Sequence, residues 1–198
     1  MVVVIGGPNG AGKTTISKRV LSETIGVPEF VNADVIARGL SGFNPEHAAI
    51  AAGRVMLTRV RELAASRANF AFESTLASRT FAPWLSSLKK EGYEFHLLYV
   101  SLRTPELSLR RVKARVRKGG HDIPPDVIRR RFGRSAQNLL ELYLPIADIW
   151  RVYDNSGKIP ARIADQLPGQ EPAIHDVNAW NTLRLIAHEN KISQIDSE

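Results

Sequence analysis

The segment Gly7-Pro8-Asn9-Gly10-Ala11-Gly12-Lys13-Thr14 most narrows the folds open to this chain: it satisfies the pattern Gly-x4-Gly-Lys-Ser/Thr immediately after the apolar run Val2-Val3-Val4-Ile5. Glycines let the main chain curl so that successive N–H groups point inward around a phosphate chain. A helix starting at the loop's end turns its positive terminus to the same anion. In such a loop Lys13 neutralises the β- and γ-phosphates and Thr14 offers its hydroxyl to Mg²⁺, and the nucleotide-binding segment is expected to run from Gly7 through Thr15. Strand, loop and helix-compatible sequence follow in the required order, so a glycine-rich turn with an incidental lysine is the weaker reading. ATP with Mg²⁺ is the expected ligand pair.

The remainder alternates short β-rich runs with helical stretches, which predicts an α/β P-loop NTPase fold, a parallel sheet flanked by helices with a helical lid segment. Strands are expected at 2–5, 29–32, 69–75, 95–102 and 149–153. Helices are expected from Thr14 to about Thr24 along Ile16, Val20 and Leu21, from Pro45 to Ser66, from Thr80 to Glu91, and from Pro105 to about Lys118. Two more are expected from Asp126 to about Leu144 and over Asp176–Glu189, ahead of a polar tail. At 198 residues the chain suits one domain, with a lid over about 103–144 and a less regular C-terminal extension over about 168–198.

There is no cysteine, which removes disulfides and thiolate metal sites and fits a reducing compartment. No apolar run approaches the ~20 residues of a membrane helix, and Met1-Val2-Val3-Val4-Ile5 reads as a strand, not a signal peptide. A cytoplasmic location is expected. The chain carries 27 basic and 20 acidic residues, a net +7 that favours anionic partners. Between Arg103 and Arg134 stand eleven basic residues against Glu106, Asp122 and Asp126. Such a run is either a solvated helical face or a phosphate-binding segment.

The residues that follow the other strands bear on how a nucleotide would be used. Strand carboxyl ends face the ligand crevice in a doubly wound sheet, which places Asp34 near the phosphates. A carboxylate there can orient an acceptor hydroxyl and take its proton, or it can cap a helix beginning at Val35. Glu73-Ser74-Thr75 occupies the equivalent place after the third strand. Glu73 suits a Mg²⁺-bound water or an acceptor hydroxyl, and Thr75 an acceptor, unless Ser74 or Thr75 caps the next helix. Arg115, Arg117, Arg130 and Arg134 bracket Gly119-Gly120, as arginines on a closing lid would. Asp154-Asn155-Ser156-Gly157 is either a plain turn or an adenine-side loop. His121 has no partner at metal-ligand spacing.

The P-loop with Thr15, Asn32-Ala33-Asp34, Phe72-Glu73-Ser74-Thr75 and the stretch from Arg115 to Asn138, with Gly119-Gly120-His121-Asp122-Ile123-Pro124, together resemble the zeta-toxin family of P-loop kinases. The likeness covers roughly Met1 to Gly157 and is closest to the short chromosomal branch. It implies transfer of the γ-phosphate of ATP to the 3′-hydroxyl of the amino sugar in UDP-N-acetylglucosamine. By position it implies Lys13 on phosphate, Thr14 on Mg²⁺ and Asp34 as base. It further implies Arg115 and Arg130 at the transferred phosphate, with Asn32, Glu73, Thr75 and Arg134 at the acceptor. An antitoxin protein is the partner the likeness suggests.

Rival readings keep the same loop. Another hydroxylated metabolite could be the acceptor. A nucleic-acid-associated ATPase would suit the +7 charge, but neither the strand ending at Asn32 nor that ending at Glu73 offers four apolar residues followed by Asp-Glu. Leu40-Ser41-Gly42-Phe43-Asn44 only half matches a transporter signature loop. Nucleic acid and membrane are therefore not expected partners. Intact Lys13, Thr14 and Asp34 argue against a protein that binds nucleotide without catalysis.

Overall fold

The structure, a computed structural model, describes residues 1–20, 27–42, 47–120 and 122–195. A seven-stranded sheet runs in the order β2-β3-β1-β4-β5-β6-β7. Its strands are β1 (Val2–Gly6), β2 (Glu29–Val31), β3 (Phe70–Ser74), β4 (Phe95–Ser101), β5 (Ile149–Asp154), β6 (Ala161–Gln166) and β7 (Ala173–Ile174). The first five in sheet order are parallel, and β6 and β7 add antiparallel to the β5 edge. All four of Val2, Val3, Val4 and Ile5 are buried, as a central strand covered on both faces requires. Val2 and Val4 pack with Met56, Val60, Leu85 and Phe72, while Val3 and Ile5 pack with Ile16, Leu98 and Val100 on the opposite side.

The helices are α1 (Lys13–Val20), α2 (Ala33–Leu40), α3 (Ala49–Ala65), α4 (Phe81–Lys90), α5 (Pro105–Val116), α6 (Pro125–Asn138) and α7 (Val177–Ile195). Thr104 caps α5 by accepting from the Leu107 N–H, and Pro105 fills its first turn. Leu109 and Val112 of α5 pack with Ile123 and Ile128, joining α5 and α6 across the Gly119-Gly120 break.

Some boundaries differ from expectation for physical reasons. The helix expected from Pro45 is seen from Ala49, Pro45 itself lying outside the described residues, as do Leu21, Thr24, Phe43, Asn44 and His121. The helix expected to run to Leu144 is α-helical only to Asn138. It widens into a π-turn over Leu139–Tyr143 and closes in a 3₁₀ turn containing Pro145, whose missing N–H cannot continue the ladder. The region after Gly157, expected to be irregular, holds β6 and β7. α7 extends past Glu189, with Asp176 accepting from the Ala179 N–H at its start. Among the described residues no helix is long and apolar enough to cross a membrane.

Candidate functional site

The P-loop joins β1 to α1, and its shape is fixed by close approach. Gly7 has φ +140°, and a Cβ there would lie 2.2 Å from the Val100 carbonyl oxygen of β4, so only glycine fits. Two side chains hold the loop from outside. The Ser108 hydroxyl of α5 donates to the Asn9 carbonyl at 2.5 Å, and Asn155 Nδ2 donates to the Ala11 carbonyl at 2.7 Å. The turn after β5 is thus more than a plain connection. It clips the P-loop, while the buried carboxylate of Asp154 accepts from Arg103 Nε at 2.7 Å and from the Ser156 N–H.

In front of the loop lies a cleft of about 500 Å³ lined by Asn9, Gly10, Gly12, Lys13, Thr14 and Thr15. The ends of β2 and β3 add Asn32, Asp34, Glu73, Ser74 and Thr75, and the lid helices add Arg111, Arg115 and Arg131. Thr14, Asn32, Asp34, Arg111 and Arg115 also line an adjoining chamber of about 540 Å³ with Arg38, Lys118 and Gly120. Gly7, Pro8 and Ala11 stand behind the cleft. The carbonyls of Gly7 and Pro8 accept from Lys13 Nζ at 2.8 and 3.1 Å. Burial lowers the Lys13 pKa, Glu73 and Asp34 oppose that shift, and Arg115 adds to it.

Asp34 does not cap α2. That role falls to Asn32, whose side-chain oxygen accepts from the N–H groups of Asp34 and Val35 at 2.8 and 3.2 Å. The Asp34 carboxylate, 59% exposed, projects into the cleft opposite Arg115 Nη1 at 3.5 Å. Asn32, expected at the acceptor, lines the cleft with its oxygen already engaged by the cap.

Glu73 ends β3 with both carboxylate oxygens against α1. Oε2 accepts from Thr14 Oγ1 at 3.1 Å and Oε1 from Ser17 Oγ at 3.3 Å. Burial pushes its pKa up, against the opposing pull of Lys13 and these two hydroxyls. Ser74 and Thr75 cap no helix either. They fold the loop after β3 by accepting from the Leu76 and Ala77 N–H groups at 3.1 and 3.4 Å. Leu76 is fully buried at φ 55°, a left-handed conformation costing a non-glycine residue about 1–2 kcal/mol. α6 holds this loop in place. Ser135 donates to the Thr75 carbonyl at 2.6 Å and Asn138 to the Leu76 carbonyl at 2.7 Å.

The lid arginines sort by helix face. Arg111 and Arg115, four apart on α5, both line the cleft, as does Arg131 of α6. Burial lowers the Arg131 pKa, Arg130 adds to this and Asp34 opposes it. Arg130 and Arg134, expected at the phosphate and the acceptor, are exposed and do not line the cleft, because Ile128, Phe132, Ser135 and Ala136 turn the opposite side of α6 inward. Arg117 is exposed on the far side of α5. Sequence reasoning missed Arg111, Arg131, Ser17, Ser108 and Ser135. Arg111 could have been found from its i, i+4 spacing to Arg115. The others needed the tertiary phase of their helices.

For a divalent cation the donors present fit. A hydroxyl and a carboxylate lie side by side next to the P-loop lysine, the sparse oxygen set on which Mg²⁺ relies when phosphates and water complete its shell.

Several known proteins resemble this chain in sequence or in fold. The Zeta toxin family profile matches residues 1–161. A protein of Haemophilus influenzae strain Rd, described only as uncharacterized, is 32% identical over 126 residues, or 64% of this chain and 88% of that protein. Among solved structures, the AvrRxo1-ORF1:-ORF2 complex with ATP superposes with TM-score 0.73 at 18% identity. That match covers 92% of this chain and 63% of the other, so the chain spans less than two thirds of that relative's length. A chain of the PezAT chromosomal toxin-antitoxin system of Streptococcus pneumoniae superposes with TM-score 0.60 at 20% identity, covering 96% and 86%.

Proposed function

The chain belongs to the zeta-toxin family, and on that premise we propose that it is a phosphotransferase that moves the γ-phosphate of ATP to a hydroxyl of UDP-N-acetylglucosamine. The observation carrying this reading is the convergence of Lys13, Thr14, Asp34, Arg111, Arg115 and Arg131 on one cleft. A phosphate grip, a carboxylate and arginines from a second direction are the parts that transfer to an alcohol needs.

The P-loop N–H groups and Lys13 hold the β- and γ-phosphates. Thr14, with Glu73 beside it, would hold Mg²⁺, whose charge would offset that of the phosphates. Asp34 accepts the proton of the acceptor hydroxyl as its oxygen attacks the γ-phosphorus, and the bond from that phosphorus to the β,γ-bridging oxygen breaks to release ADP. Arg111, Arg115 and Arg131 stabilise charge on the phosphoryl oxygens in flight. Thr75, with its carbonyl fixed by Ser135, faces the acceptor. The partner of such an enzyme, by analogy with the PezAT toxin-antitoxin system, is an antitoxin protein.

The test is product analysis by mass spectrometry with ATP, Mg²⁺ and a panel of hydroxylated metabolites. Phosphorylated UDP-N-acetylglucosamine is the expected product, and transfer to a different metabolite with none to the sugar nucleotide would overturn the acceptor. In Asp34→Asn, ATP binding should persist while transfer falls about 10²–10⁴-fold, the range of a general base. Undiminished transfer in that variant removes Asp34 from the role.

A further inference from the structure

Ser17 lies three residues after Thr14, so the two hydroxyls leave one face of α1 toward the end of β3. Ser17 is fully buried, and its single hydroxyl proton is shared between Glu73 Oε1 at 3.3 Å and the Thr14 carbonyl oxygen at 3.1 Å. A serine inside a helix ordinarily satisfies its hydroxyl on a carbonyl of the preceding turn, and that contact alone would explain Ser17. It would not explain a carboxylate with each oxygen against a hydroxyl of the same helix. A hydroxyl has one proton and two lone pairs. When Thr14 gives its proton to Glu73 Oε2, its lone pairs turn away from the carboxylate toward the P-loop cleft. Glu73 therefore sets the orientation of the Thr14 hydroxyl, and Ser17 sets the orientation of Glu73.

Resting on the nucleotide reading above, we propose that Ser17 is a positioning residue for metal–nucleotide binding: it anchors Glu73 Oε1 so that Oε2 takes the Thr14 proton and leaves the Thr14 oxygen for the divalent cation. Glu73 thereby serves the metal side of the site as well as lining the acceptor side, and the two halves of the cleft are linked through one carboxylate. Lys13 and Asp34 are the other charged groups that act on this carboxylate, Lys13 favouring its charge and Asp34 opposing it.

Calorimetric titration with a non-hydrolysable ATP analogue, once with Mg²⁺ and once in EDTA, separates metal-linked from metal-free binding. Wild-type protein should bind more tightly with Mg²⁺. Ser17→Ala should keep its metal-free affinity and lose about tenfold of the Mg²⁺-dependent gain, the scale of one hydrogen bond to a charged group. Glu73→Ala should lose a similar part of that gain, and the double variant little more than either single, because the two act in series. Ser17→Thr, which restores the donor, should recover it. Ser17→Cys keeps the volume with a weaker donor and repeats the test if Ser17→Ala does not fold. An unchanged Mg²⁺ gain in the Ser17 variants, equal losses with and without metal, or additive losses in the double variant would each overturn the proposal. If wild-type protein binds no adenine nucleotide under either condition, the nucleotide reading itself fails.

Discussion

Lys13, Thr14 and Ser17 favour the charge of Glu73, yet burial dominates its titration and, with a smaller contribution from Asp34, lifts its pKa above the ordinary 4.5. The folded state then holds the proton more tightly than the unfolded chain, so ionising Glu73 costs the fold stability. That cost is absent below pH 4.5, grows as pH rises through the interval up to the folded pKa, and stays constant above it. Glu73→Gln should accordingly melt higher than wild type at neutral pH, with the gap closing toward pH 4.5 in calorimetric scans. A gap of the same size at every pH would contradict this account. Arg131 and Arg130 offer a second contrast at this scale, being adjacent in sequence but on different faces of α6. Arg131→Ala should reduce phosphoryl transfer at least tenfold through lost charge stabilisation, while Arg130→Ala stays within about twofold, as exposed charges usually do. Lys13, Thr14 and Asp34 were legible because a motif or a strand end fixes their place. Neither spacing nor composition fixed which of two neighbouring arginines faces inward, since that depends on how Ile128 and Phe132 seat the helix.

α6 joins α5 to the body of the fold, and α7 braces it. A Cβ added at Gly133 would lie 2.5 Å from Asn190 Oδ1 and 2.8 Å from its Cβ, so the two helices approach there as only glycine allows. Around that point Asn190 donates to Gln137 at 2.6 Å and Lys191 to Glu141 at 2.9 Å. Alanine in place of an unencumbered helical glycine gains about 1 kcal/mol. Gly133→Ala should instead lose stability in urea denaturation, and in an Asn190→Gly background, where the facing Cβ is gone as well, the same substitution should cost less. A stabilised Gly133→Ala single variant would show that the approach is looser than described. Helices were the more readable elements, since the apolar positions of α3 and α4 repeat at helical spacing and Gly92 ends α4 as expected. β6 was hidden because Ala161-Arg162-Ile163-Ala164-Asp165-Gln166 has one β-branched residue and no clean alternation. It is a strand because β5 presents an edge for it to pair with.

Over the whole molecule, the parallel character of the sheet could be foreseen from runs such as Val2–Ile5, whose residues are apolar toward both faces. The order β2-β3-β1-β4-β5 could not, because the spacing of strands along the chain does not say which pair. The net +7 charge also acquires a direction. α5 turns Arg111 and Arg115 into the cleft and Arg110, Lys113 and Arg117 outward beside Ile123 and Asp122. With the inward set engaged by phosphates, ATP hydrolysis should be unchanged, within about twofold, by single-stranded RNA or duplex DNA at about 0.15 M salt, where long-range attraction between exposed charges is screened. Strong stimulation by either polymer would revive the nucleic-acid reading.

Ser108 and Asn155 grip the P-loop from behind, through atoms that no phosphate will touch. Whatever rigidity the cradle has is thus acquired as the chain folds, not when nucleotide arrives. A receptacle set in advance clasps the two inner phosphorus centres of spent cofactor nearly as firmly as those of fresh cofactor. Egress of ADP should then govern the cycle, and rapid mixing should reveal an initial burst of product ahead of a slower steady rate.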